Sequence, residues 1–146
     1  MVSVALVFLL LLVPSVVAGP ATPTPVTGDI PSVIWQVVGF TAPTTAPVTI
    51  ADPSQYTLQF LPEGILLAQF DCNQGRGGST AVDGVLTLTP MAVTAMMCAP
   101  GSYDLAVQRV LGQASSYAFD PDGTLRLDGA GGSLHLQATL PGVIWQ

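Results

Sequence analysis

Short apolar runs that alternate with period two, each stopped by glycine, proline or aspartate, set the terms on which this chain can fold. Tyr56-Thr57-Leu58-Gln59-Phe60 places Tyr56, Leu58 and Phe60 on one face. Leu61-Pro62-Glu63-Gly64 supplies a turn, and Ile65 to Phe70 returns as the partner strand. Asp83-Gly84 has the residue types that tolerate the positive φ of a type I′ turn, and it joins Ser79–Val82 to Val85–Leu88. Toward the C-terminus, Tyr117-Ala118-Phe119, Leu125-Arg126-Leu127 and Leu134-His135-Leu136 form a three-strand meander. Its turns are Asp120-Pro121-Asp122-Gly123 and the glycine-rich stretch Gly129 to Gly132. Runs this short, joined by turns this tight, pair as antiparallel neighbours.

Earlier in the chain, Val33 to Val38 reads as a buried strand. Thr41 to Pro53 is rich in Pro, Thr and Ala and reads as an irregular connection, with Val48-Thr49-Ile50 as a short edge strand. One helix is predicted, with Ser102 as N-cap, a partial 3.6-residue stripe of Leu105, Val107, Val110 and Leu111, and an end at Gly112. The fold class is therefore α+β: a compact, β-rich antiparallel sheet or partial barrel with one principal helix between two β-meanders.

Charge narrows the partners. Charged residues make up only 8% of the chain and there is no lysine; Arg76, Arg109 and Arg126 stand against nine carboxylates, for a net charge of -6. Phosphate backbones are held by clustered cations, so no nucleic-acid partner is expected, and an anionic membrane surface is excluded on the same ground.

Val4 to Val13 is an apolar run of ten residues, followed by Pro14 and Ser15-Val16-Val17-Ala18-Gly19. Ten helical residues cover about 15 Å, half of a hydrocarbon core, so the run reads as a signal-peptide core and not a transmembrane span. Residues 1–18 are read as a signal peptide cleaved after Ala18; no Lys or Arg precedes the run, so the alternatives are an uncleaved anchor or a different start codon. No cysteine follows the run, so a lipoprotein anchor is not expected. Residues 19–29 read as a disordered Pro/Thr tether, and 30–139 as the folded domain. A secreted, periplasmic or cell-envelope location follows.

Asp71-Cys72-Asn73-Gln74-Gly75-Arg76-Gly77-Gly78 is the most distinctive stretch, with the sole asparagine of the chain. Asn73 and the glycines suit positive φ, which implies a bulge or tight turn. Two cysteines in an exported chain favour a Cys72–Cys98 disulfide, closing a loop of about 27 residues for about 3 kcal/mol. The alternative is two buried free thiols. Zinc is not expected, because two Cys and one His cannot complete a tetrahedral structural site.

Other residues have plain readings. His135 lies between two leucines and faces solvent if they face the core. Gly75-Arg76-Gly77-Gly78 lacks the Gly-Lys-Ser/Thr ending of a phosphate loop. Asp120-x-Asp122-Gly123 opens like a calcium loop, but the sixth position is Leu125 and the twelfth Gly131, so a hairpin turn accounts for it. Met91, Met96 and Met97 precede the helix and read as adaptable core filling, with a soft binding surface as the alternative. No catalytic, cofactor or metal residue is assigned.

A Cys72-Asn73-x-x-x-Gly77 turn after a strand, then Asp83-Gly84, then Thr94-x-Met96-x-Cys98, one helix and a Tyr…Asp-Gly-x-Leu-x-Leu meander resemble the META domain, or HslJ-like, family. Trp35 and the Tyr56–Phe60 hairpin resemble that family's opening, and the likeness runs from about Val33 to Gln137. It marks Trp35, Asn73, Gly75, Thr94 and Met96 as motif residues of structural rather than catalytic use. The family's turn commonly starts with glycine where this chain has Asp71, and its helix with glutamate where this chain has Asp104. The resemblance implies an exported or envelope-associated protein linked to stress tolerance or secretion, with no catalytic residues to carry over.

Pro31-Ser32-Val33-Ile34-Trp35-Gln36 recurs as Pro141-Gly142-Val143-Ile144-Trp145-Gln146, five identities in six, with both tryptophans of the chain. Residues 140–146 therefore read as the start of a second repeat, and a neighbouring META repeat as the one partner suggested. The expected function is a non-catalytic structural or binding module. The competing expectations are a carboxylate-based hydrolase near the Asp71 turn, and an inhibitor or adhesion module in a tandem array.

Overall fold

A computed structural model describes Gly19 and residues 29–139. The expected signal peptide, the tether apart from Gly19 and Asp29, and the start of a second repeat at 140–146 lie outside the described residues.

The chain forms β1 (Ile34–Ala42), β2 (Thr45–Thr49), β3 (Tyr56–Leu61), β4 (Ile65–Phe70), β5 (Asn73–Val82), β6 (Val85–Leu88) and β7 (Ala92–Val93). Then come one helix, α1 (Asp104–Gly112), and β8 (Ala114–Phe119), β9 (Leu125–Gly129) and β10 (Gly132–Ala138). Every pairing is antiparallel. The order β1-β3-β4-β5-β6-β8-β9-β10 returns to β1, so eight strands close into a barrel, with β2 and β7 paired outside the ring to β1 and β5. Closure is the feature that the local pattern left open between sheet and partial barrel. It is made by β1 on β10, from Trp35 opposite Ala138 to Thr41 opposite Ser133.

Alternation fills this barrel with side chains, as eight strands leave room for little else. Tyr56, Leu58 and Phe60 of β3 point inward, as do Leu66, Ala68 and Phe70 of β4, Leu125 and Leu127 of β9, and Leu134 and Leu136 of β10. His135 lies between those last two leucines on the opposite face, half-buried. Strand β1 breaks alternation: Gly39 and Phe40 are both buried, where the register with β10 shifts. Such a bulge turns the strand so that its second half can pair with β2 where its first half paired with β3. At Gly132 the backbone has φ of +116°, and a Cβ there would collide with the Thr41 carbonyl. A glycine is needed at this point for the closing strand to approach.

The helix lies against β10, β4 and β1 and buries Val107, Val110 and Leu111 in the barrel core. It starts two residues after the predicted cap. Tyr103 is the N-cap and its side chain makes no capping bond. Ser102 Oγ instead accepts from the Asp104 N–H at 3.2 Å, and Tyr56 Oη accepts from the Tyr103 N–H at 2.9 Å. A tyrosine 47 residues away thus satisfies a donor that the first turn leaves open, which no local pattern shows.

Two local readings change. The stretch from Asn73 to Gly78 is strand and not turn: Phe70 pairs with Asn73, so the loop is Asp71-Cys72 alone. The positive φ falls on Asp71, at +56°, and neither Asn73 nor the following glycines have one. Aspartate is among the few residues other than glycine that tolerate such a backbone. The irregular connection is also more ordered than read, with β2 starting at Thr45 and a 3₁₀ turn at Pro53–Gln55 capped by Asp52. Asp83 and Gly84 both have positive φ, +49° and +80°, as a type I′ turn requires.

Candidate functional site

Cys72 sits in the β4–β5 turn and is joined by a disulfide to Cys98, the last residue of the strap that runs from β7 toward the helix. Directly after it, Asn73 opens β5 at 2% exposure, the one buried residue among the described residues that is neither hydrophobic nor glycine. A buried amide has two donor hydrogens and a carbonyl to satisfy, and this one satisfies them against the strap. Asn73 Oδ1 accepts from the Met96 N–H at 2.8 Å and from Thr94 Oγ1 at 3.0 Å. Asn73 Nδ2 donates to the Met96 carbonyl at 3.0 Å and to Asp104 Oδ2 at 3.2 Å. The amide therefore engages both backbone groups of Met96, as a neighbouring strand would.

Thr94 completes the join. Its Oγ1 accepts from the Gln74 N–H at 2.9 Å while donating to Asn73, and the Thr94 N–H donates to the Gln74 carbonyl at 2.9 Å. Asp104 reaches Asn73 from the first residue of α1, so the shorter carboxylate still ties the helix start to the turn. The disulfide, the amide and the carboxylate thus pin turn, strap and helix at one point.

Gly75 serves the same junction from the next inward position. A Cβ there would collide with Met91 Sδ and stand 3.0 Å from Phe70 Cε2, so the missing side chain is the space that Met91 fills. Trp35 lies apart from this cluster, at the start of β1; its Nε1–H donates to the Pro31 carbonyl at 3.1 Å and its ring stands 6.0 Å from Phe119. Of the five motif residues, Asn73, Thr94 and Met96 meet beside the disulfide, Gly75 makes room for Met91 two residues along β5, and Trp35 seals another part of the core.

The strap presents a surface that the core-filling reading of the methionines missed. Met91 packs against the core, as that reading has it. Met96 and Met97 are instead 62% and 99% exposed, and Leu105 on the first turn of α1 is 68% exposed. They border a shallow depression of about 610 Å³ lined also by Val93, Ser102 and Gln108. A smaller groove of about 340 Å³, between Met91, Val93 and Leu111, shares Val93 and Gln108 with it. Period alone could not separate these methionines from core residues, because the strap is neither helix nor regular strand.

Of the carboxylates near the Asp71 turn, Asp104 lines the larger hollow, and Asp52 and Asp71 border a separate one of about 260 Å³. Asp71 and Asp83 occupy hairpin turns at positive φ, and Asp104 is engaged by Asn73. Asp120 and Asp128 both pair with Arg126, at 3.0 and 2.9 Å, and the guanidinium is held still more firmly protonated, chiefly by its hydrogen bond to Asp128. Asp122 accepts from the Thr124 N–H at 2.9 Å, the hairpin role read from the sequence, and this bond holds its carboxyl below the ordinary range.

Among curated proteins no relative matches. A solved structure, the NMR structure of the protein from Burkholderia xenovorans, is similar at a TM-score of 0.62 and 17% identity, covering 85% of this chain and 99% of that one. At that identity the likeness is one of fold. The META domain family model matches residues 29–139, the whole barrel with its strap and helix. The chain belongs to the META domain family.

Proposed function

We propose that this META domain is an exported, non-catalytic binding module of the cell envelope or extracellular space, and that it engages apolar segments of other proteins through the Met96–Met97–Leu105 face. The observation behind this reading is the contrast at one residue pair: the strap backbone at Met96 is held on both sides by Asn73, while the neighbouring side chains stand exposed. A rigid backbone bearing flexible, polarisable thioethers suits adaptable apolar contacts. Exposed apolar surface bordering a hollow is a feature of interaction sites. The disulfide supports export, since such bonds persist outside the reducing cytoplasm. A role in stress protection accords with such a face, which would shield unfolding exported proteins.

The test is suppression of aggregation. The protein, added in excess to a thermally unfolding model protein, should lower light scattering several-fold. The triple variant M96S/M97S/L105S alters only exposed side chains; it should keep its unfolding midpoint and lose that effect. Equal suppression by the variant contradicts the assignment of this face. Hydrolytic turnover abolished by Asp71→Asn or Asp83→Asn would replace the binding reading with the hydrolase one.

A further inference from the structure

Three of the four methionines of the chain fall within Met91–Met97, and their surroundings give them different fates toward an oxidant. Met97 is 99% exposed and Met96 62%. Met91 is partly buried, packed against the core with its Sδ over the Gly75 backbone. Both cysteines of the chain are spent on one disulfide, so no thiol stands ahead of the thioethers. Attack on sulfur follows exposure, which singles out Met97 and then Met96.

The fold has little at stake in these two side chains. Asn73 holds the strap through the Met96 N–H and carbonyl, at 2.8 and 3.0 Å, and not through the thioether. A chemical change at the two sulfurs therefore leaves the strap pinned and the barrel filled. What changes is the surface. A sulfoxide is polar where a thioether is apolar. Of the three exposed apolar side chains that border the larger hollow, Met96, Met97 and Leu105, only Leu105 would remain so.

We propose that Met96 and Met97 form a paired oxidation site, at which a hydroperoxide turns the binding face from apolar to polar and releases what it holds. In each event a lone pair on Sδ attacks one peroxide oxygen; the S–O bond forms as the O–O bond breaks. Sulfur gives up two electrons, the peroxide is reduced, and the proton of the transferred oxygen passes through solvent to the departing oxygen, which leaves as water when the oxidant is hydrogen peroxide. The release step rests on the reading of this face as a binding surface; the site of oxidation does not.

The experiment treats the full chain, disulfide intact, with hydrogen peroxide and follows each methionine by peptide mass mapping. Met97 and Met96 should each gain one oxygen atom several-fold faster than Met91. The doubly oxidised protein should keep its unfolding midpoint and suppress aggregation several-fold less than the untreated sample. Met96→Leu with Met97→Leu sets its own baseline, and peroxide should leave that baseline where it is. Oxidation of Met91 as fast as Met97 would overturn the site, as would a fallen midpoint once only Met96 and Met97 are oxidised. Undiminished suppression by the oxidised protein, or an equal loss in the double leucine variant, would overturn the release. An untreated protein that suppresses nothing would overturn the binding reading and the release with it, while the mass map still decides the site.

Discussion

Replacing Asn73 with alanine will destabilise the barrel by about 3 kcal/mol and lower its unfolding midpoint by on the order of 10 °C. The amide makes four hydrogen bonds to protein oxygen and nitrogen atoms, two of them to the backbone of Met96. Removing it leaves the Met96 N–H and carbonyl without their partner, and loosens Asp104 at the helix start. Unpartnered groups of this kind each cost about 1–3 kcal/mol when water cannot reach them. The hollow beside the strap admits water, which places the total near the lower end of the summed range. Asn73→Asp is a useful control: it preserves the acceptor side but turns a second oxygen toward the Met96 carbonyl and Asp104. At neutral pH it should be no better tolerated than alanine, and acidification should recover part of the loss. Thermal unfolding by circular dichroism measures both; a midpoint within 2 °C or so of the parent for Asn73→Ala would mean that the amide network does not hold the strap.

Removal of the disulfide by Cys72→Ser with Cys98→Ser should cost a similar amount. The bond closes a loop spanning a sequence separation of 26 that contains β5, β6 and β7. The loop-entropy relation gives about 3–4 kcal/mol for that length. A small domain has a total stability of about 5–15 kcal/mol, so either change alone leaves a folded but weakened barrel. The two act on the same strap and should not add. Once the strap has detached in one variant, the second change has less to remove, and a double-mutant cycle should report a coupling of at least about 1 kcal/mol. Full additivity in urea unfolding would contradict the single pinned junction described above.

Much of the barrel wall could be read from the sequence because it is local. β4 occupies the span read from alternation, and the Asp83-Gly84 hairpin and final meander follow from turn chemistry acting over a few residues. Closure was not local. β1 and β10 are separated by most of the domain, and nothing in either run states that each is the other's neighbour. Gly132 is the trace of that closure, but its glycine reads equally well as part of a turn until Thr41 is found against it.

The candidate site divides in the same way. The Cys72-Asn73 turn and the Thr94-x-Met96-x-Cys98 segment were legible as motifs through family resemblance, and as a cysteine pair through export. Their joint purpose was not, because Asn73 was read for its backbone freedom when it is used for its side-chain amide. Asp71 takes the positive φ instead. Tyr56 supports the helix start from a position with no local mark, Asp104 was marked only through family resemblance, and the exposure of Met96 and Met97 followed from a strap that has no period to read.

Export and the disulfide are both read out by intact-mass analysis of the protein recovered from outside the cytoplasm, alkylated with and without prior reduction. The expected species is a chain beginning at Gly19 that takes up no alkyl group until it is reduced and then takes up one on each of Cys72 and Cys98. A mass retaining residues 1–18, or thiols that alkylate without reduction, would contradict it.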